Sequence, residues 1–194
     1  MPVTGIIIAA GRSSRMAPDH KLIMDINGKP LIQRSLESLL PFCAKIIIVL
    51  GSYPSDIIEA LKAYPQLSLI PNQEDLNDMF SSVKTGLREA LHEQVLFLPG
   101  DCPFTPKTVI EKMLMTEGDI IVPAYKGKTG HPLLLSEKAV NEILSDTSLR
   151  NLKQYLSKSK LTLVNTSSES ILWDIDTHSD LHKARIYFAK IEGE

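Results

Sequence analysis

Apolar residues in this chain come in short runs, separated by stretches in which they recur at helical spacing. Residues 4–9, 45–50, 67–70 and 95–98 are apolar almost throughout, as strands buried on both faces should be. Between them, 30–40, 55–64 and 80–91 fit helices. In the last of these Val83, Leu87 and Leu91 recur every four residues, while Lys84, Arg88 and Glu89 take the other face. Thr105 and Pro106 read as the N-cap and first position of a helix running to about residue 115. The second half is less regular: strands are expected at 119–124, 131–135, 161–164 and 171–174, and helices at 136–144, 148–157 and 179–190. This alternation predicts an α/β fold, a mostly parallel sheet with helices on both faces.

Composition narrows the classes of function. The 194 residues carry 21 basic and 23 acidic side chains, a net charge of −2, with no long block of one sign, which argues against nucleic acid as a partner. No apolar run reaches the ~20 residues needed to cross a bilayer, so no membrane association is expected. Cys43 and Cys102 lie far apart with no CxxC spacing, which suggests a reducing, cytoplasmic compartment rather than a disulfide framework. With no repeat and no linker-like segment, a single domain over residues 1–194 is expected.

Three segments carry candidate chemistry. The first runs from a buried strand into the small-residue loop Ala9-Ala10-Gly11-Arg12-Ser13-Ser14-Arg15-Met16, with Lys21 following. Small residues let backbone N–H groups approach phosphate oxygens, and Arg15 and Lys21 can neutralise charge that grows as a phosphoanhydride breaks. It lacks the GK[ST] of a Walker A loop, and a tight turn with solvated basic residues is the alternative. The second, Pro99-Gly100-Asp101-Cys102-Pro103, ends an apolar strand on a carboxylate, at the strand end where open α/β sheets place ligands. The third, Trp173-Asp174-Ile175-Asp176-Thr177, is another acidic strand end. If 171–174 is a strand, Asp174 and Asp176 share one face, with Asp176 the preferred ligand. Two carboxylates facing a phosphate loop suit Mg²⁺, although Asp101 could equally be a turn residue and Asp176-Thr177 a helix cap assisted by Asp180.

Together these residues resemble the signature of molybdenum cofactor cytidylyltransferases and their nucleotidyltransferase relatives. The resemblance extends through Asn27-Gly28-Lys29-Pro30-Leu31, Ser81-Ser82-Val83 with Gly86-Leu87, Gly100-Asp101-Cys102-Pro103-Phe104, Gly130-His131-Pro132 and Asp174-Ile175-Asp176-Thr177, from residue 6 to about 181. It implies a Rossmann-like three-layer α/β/α nucleotidyltransferase that moves CMP from CTP onto molybdopterin and releases pyrophosphate. Ala9, Ala10, Gly11, Arg12, Ser13, Arg15, Lys21, Asn72, Ser82 and Gly100 would bind the nucleotide. Arg15, Lys21 and Asp101 would be catalytic, Asp101 and Asp176 would hold Mg²⁺, and His131 would touch the acceptor. Ala-Ala-Gly in the first loop resembles the cytidylyl rather than the guanylyl branch, and a methyl at Ala10 would narrow the loop against a purine. Ala17 and Asp78 depart from glycines common in the family, and a carboxylate at 78 would repel triphosphate unless it points away or joins the metal site.

Other conspicuous residues read more simply. His92, His178 and His182 suit surface or capping roles, and Trp173, Met113 and Met115 suit packing. Two other functions fit the same motifs: a sugar-phosphate or alcohol-phosphate nucleotidyltransferase, and a non-catalytic factor that holds the cofactor for a client molybdenum hydroxylase.

Overall fold

The computed structural model describes residues 2–11, 16, 20–72 and 78–193. The strands are β1 (Val3–Ala9), β2 (Asp25–Ile26), β3 (Lys29–Pro30), β4 (Lys45–Leu50), β5 (Ser68–Pro71), β6 (Gln94–Pro99), β7 (Ile120–Tyr125), β8 (Lys128–Thr129), β9 (Leu133–Leu135) and β10 (Thr162–Asn165). The helices are α1 (Leu31–Leu39), α2 (Pro54–Ala60), α3 (Met79–Arg88), α4 (Lys107–Leu114), α5 (Glu137–Ser145), α6 (Leu152–Lys158) and α7 (His178–Glu192).

The main sheet runs β10-β7-β9-β6-β1-β4-β5, with β8 paired to β7. All neighbours along this path are parallel except at β9, which lies antiparallel between β6 and β7. Because consecutive side chains on a strand point to opposite faces, each strand feeds two cores. Ile7, Ile48, Leu96 and Leu98 pack beneath α1, α2, α4 and α7; Ile6, Ile8, Ile47, Val49, Val95 and Phe97 pack beneath α3, α5 and α6. The three-layer α/β/α expectation therefore holds. Among the described residues no helix is long and apolar enough to cross a membrane.

The central strand β1 pairs with β4 on one side and β6 on the other. The sheet is thus built outward in both directions from β1, and the crevice beyond the carboxyl ends of β1 and β6 is a topological switch point, where ligands bind in such sheets.

Several expected boundaries shift for identifiable reasons. Residues 171–174 are not a strand: Glu169–Leu172 forms a 3₁₀ turn held by Ser170, whose hydroxyl donates to the Phe104 carbonyl at 2.7 Å. Asp174 and Asp176 consequently share no strand face. Pro106 is extended (φ −64°, ψ 138°) and caps α4 rather than opening it. The helix expected at 148–157 begins only at Leu152, where the Asn151 side chain accepts from the Gln154 amide. Met113 is buried as expected, but Met115 lies beyond the end of α4 and is 86% exposed. The Asn27-Gly28 pair turns the small β2–β3 hairpin, both residues adopting left-handed backbone (φ 52° and 80°).

Candidate active site

The turn after β6 is pinned to its surroundings through its backbone. Gly100 donates its N–H to the Ile8 carbonyl (3.0 Å) and accepts at its own carbonyl from the Ser35 hydroxyl (2.7 Å). The next carbonyl, that of Asp101, accepts from the Ile175 amide at 3.0 Å, and the Ile175 side chain is fully buried. This one bond stitches the segment carrying Asp176 to the end of β6. Lys21 opens a 3₁₀ turn (Lys21–Ile23) anchored by buried Leu22.

The two carboxylates converge on that lysine. Lys21 Nζ lies 2.6 Å from Asp101 Oδ2 and 2.9 Å from Asp176 Oδ1. Burial works against its ammonium, but Asp101 and Asp176 outweigh it and hold its pKa above the ordinary value. Asp174 stands close by; burial, followed by the charges of Asp176 and Asp101, raises its pKa. The three aspartates line a cleft of about 400 Å³ together with Thr129, His131 and Trp173. His131 is half-buried, its backbone amide donates to the Ile171 carbonyl (3.0 Å), and its Nδ1 is enclosed without a hydrogen-bond partner among the described residues. The Cys102 thiol, buried behind Asp101, is held well above its usual pKa by burial and the neighbouring carboxylates, so it is no nucleophile.

A second group gathers at the start of α3. Asn72, which follows β5, donates from Nδ2 to the hydroxyls of Ser81 (2.7 Å) and Ser82 (2.9 Å), and all three side chains are buried. Ser82 thus braces Asn72. Asp78 caps the same helix, its carboxylate accepting from the Phe80 amide at 2.9 Å. The Asp78 carboxylate is thereby engaged in the helix cap, a position that suits aspartate.

Of the first loop, Ala9 and Ala10 are buried, and the Ala10 side chain packs within the layer under α3. The purine-excluding role anticipated for the Ala10 methyl therefore finds no support in its position. Gly11 is half-buried at the loop entrance. Arg12, Ser13 and Arg15, and the departure at Ala17, lie outside the described residues.

The oxygen-rich donor set fits a hard divalent cation. Among the described residues no three His, Cys, Asp or Glu side chains form a closed metal cage. Mg²⁺ does not require one, since it is commonly held by one or two carboxylates completed by substrate phosphates and water.

A family model described as the MobA-like NTP transferase domain matches residues 5–163. The chain belongs to this family. As a MobA-like protein it is a nucleotidyltransferase, and its relatives agree. It is 27% identical over 187 residues to the molybdenum cofactor cytidylyltransferase of Escherichia coli (strain K12), covering 96% of this chain and 97% of the relative. It is 31% identical over 168 residues to the molybdenum cofactor guanylyltransferase of Serratia proteamaculans (strain 568), covering 84% and 77%. A solved nucleotidyl transferase from Methanothermobacter thermautotroptrophicus superposes with a TM-score of 0.85 at 22% identity, covering 98% of this chain and 99% of that one.

In this MobA-like site, Lys21, Asp101, Asp176 and His131 come together at one cleft, while Asn72 and Ser82 form a separate cluster at α3. Sequence reasoning missed Ser81 as a second hydroxyl on Asn72, and Thr129 and Trp173 as cleft walls. The adjacent serines were visible in the sequence. Thr129 immediately precedes the Gly130-His131-Pro132 motif, the one local signal that pointed to it.

Proposed function

We propose that the chain, acting as one domain over residues 1–194, is a Mg²⁺-dependent cytidylyltransferase that transfers CMP from CTP to molybdopterin. The observation that carries this reading is the meeting of Lys21, Asp101 and Asp176 beyond the ends of β1 and β6. The choice of CTP rests on the resemblance of Ala9-Ala10-Gly11 to the cytidylyl branch, since cytidylyl- and guanylyltransferase relatives both align over nearly the full length of this chain.

In this reaction an oxygen of the acceptor's phosphate attacks the α-phosphorus of CTP. A new P–O bond forms, the α–β bridging bond breaks, and its electron pair leaves with pyrophosphate. The chain supplies position and charge rather than a nucleophile. Asp101 and Asp176 would hold Mg²⁺, which when bound neutralises the phosphate oxygens. Lys21 offsets charge at the α-phosphate, the main chain of Ala9 to Gly11 lines the triphosphate, and Asn72, braced by Ser82, faces the nucleotide. His131 borders the acceptor side of the cleft.

The test is pyrophosphate release with Mg²⁺, molybdenum-loaded molybdopterin and each of CTP, GTP, ATP and UTP in turn, beside Asp101→Asn. Release confined to CTP, and reduced in the variant by on the order of 10²–10³-fold, is expected. Release only with a sugar-phosphate or alcohol-phosphate acceptor would replace molybdopterin. Tight nucleotide binding by folded protein without any release would favour the role of a holding factor for a molybdenum hydroxylase.

A further inference from the structure

Among the described residues Lys21 makes two short contacts with carboxylates, which its proposed phosphate role does not require. Its ammonium sits 2.6 Å from one aspartate and 2.9 Å from the other, the position of a cation shared by both. We propose that Lys21 is an internal counter-cation: it keeps Asp101 and Asp176 facing each other before metal arrives, and a divalent ion must displace it to bind. This rests on the reading of the two aspartates as metal ligands.

Three features of the cleft support the exchange. A divalent ion bound by the same two oxygens stands about 2.0–2.1 Å from each, so it and the ammonium cannot occupy the gap together. Among the described residues the charge balance of the cleft favours a resident cation, because Asp101, Asp174 and Asp176 all line it. Finally, the lysine backbone is fixed by a turn whose Leu22 is 2% exposed, while the four-carbon stem is flexible. Displacement is therefore a side-chain swing that leaves the fold intact. It makes the ammonium available to a triphosphate at the moment the metal takes its place, which couples the two binding events.

The experiment titrates Mn²⁺ into the full chain without nucleotide or acceptor, reading unbound Mn²⁺ by electron paramagnetic resonance, and follows thermal unfolding in parallel. Lys21→Met and Lys21→Gln should each bind Mn²⁺ about ten-fold more tightly than the wild type, a difference of about 1.4 kcal/mol. Both should melt at lower temperature without metal and gain more from Mn²⁺ than the wild type does. Lys21→Arg, which keeps the charge, should show no such tightening. Asp101→Asn added to Lys21→Met should remove the gain, placing the ion on this pair. Equal, weaker or absent Mn²⁺ binding in both neutral variants overturns the proposal. Because the titration contains neither CTP nor molybdopterin, it can succeed where the substrate assignment fails, and the reverse.

Discussion

Both ring nitrogens of His20, and Nδ1 of His131, are enclosed without a hydrogen-bond partner among the described residues; Asp56 stands 3.5 Å from His20 Nδ1, too far to satisfy it well. Burial is the dominant influence on each ring and lowers its pKa from 6.5, opposed by Asp56 at His20 and by Asp101 at His131. As pH falls, the unfolded chain takes up these protons first, near 6.5, while the folded chain still holds both rings neutral. The unfolded state then binds more protons, so stability present above pH 6.5 is lost as the pH drops towards the depressed values, with a limiting slope of about 1.4 kcal/mol per pH unit for each group. Urea unfolding between about pH 8 and pH 5 should show this decline. His20→Phe, which keeps a ring against Tyr53 (centroids 4.6 Å apart), should make it shallower. An unchanged slope would show that His20 titrates alike in both states.

The Gly-His-Pro turn shows how one element governs another. A Cβ built on Gly130 would lie 2.2 Å from the Ile171 carbonyl oxygen, and that carbonyl also accepts the His131 amide. Only glycine lets the two backbones approach so closely, and the segment so held leads directly into Asp174 and Asp176. Gly130→Ala should therefore push the 169–172 turn away and cost pyrophosphate release at least ten-fold, while far-ultraviolet circular dichroism stays at the wild-type level. Activity within two-fold of wild type would show that the approach is not needed. The same comparison marks what the sequence could disclose. Strands β1, β4 and β6 were legible because burial on both faces leaves an unbroken apolar run. The capping of α5 by Ser136 and the capping box of Thr177 with Asp180 left their own local marks. The antiparallel setting of β9 was not legible, because a strand's direction is decided by its distant neighbours and not by its own residues. Residues 171–174 look like a strand for a related reason: Ile171 is buried by tertiary contacts, which local apolar pattern cannot distinguish from sheet pairing. The site followed the same division. Lys21, Asp101 and Asp176 stood in recognisable motifs, whereas their convergence on one ammonium depends on segments up to 155 positions apart.

Across the molecule, the last helix joins the two acidic loops to the rest of the core. Phe104, three positions after Asp101, stacks with Phe188 of α7 at 5.5 Å and meets Trp173, next to Asp174, edge-on at 5.4 Å. Tyr187 closes the group against Trp173 at 5.6 Å. Arg34 of α1 lies over the Phe188 ring at 4.6 Å, donates to the Ile26 and Asn27 carbonyls and pairs with Glu192. One aromatic cluster thus supports the turn after β6, the segment before Asp176, the hairpin and two helices. Phe188→Ala would open a cavity beside Phe104, with a cost of about 3–5 kcal/mol for a buried aromatic ring. The urea midpoint should fall accordingly, and Phe188→Leu should recover much of the loss. The chemistry should respond differently, because Phe188 touches neither Lys21 nor the carboxylates. Assayed at low temperature, where the variant remains folded, Phe188→Ala should retain far more pyrophosphate release than Asp101→Asn. If release instead fell as far as in Asp101→Asn with the midpoint unchanged, the cluster would be acting on the cleft rather than on the fold.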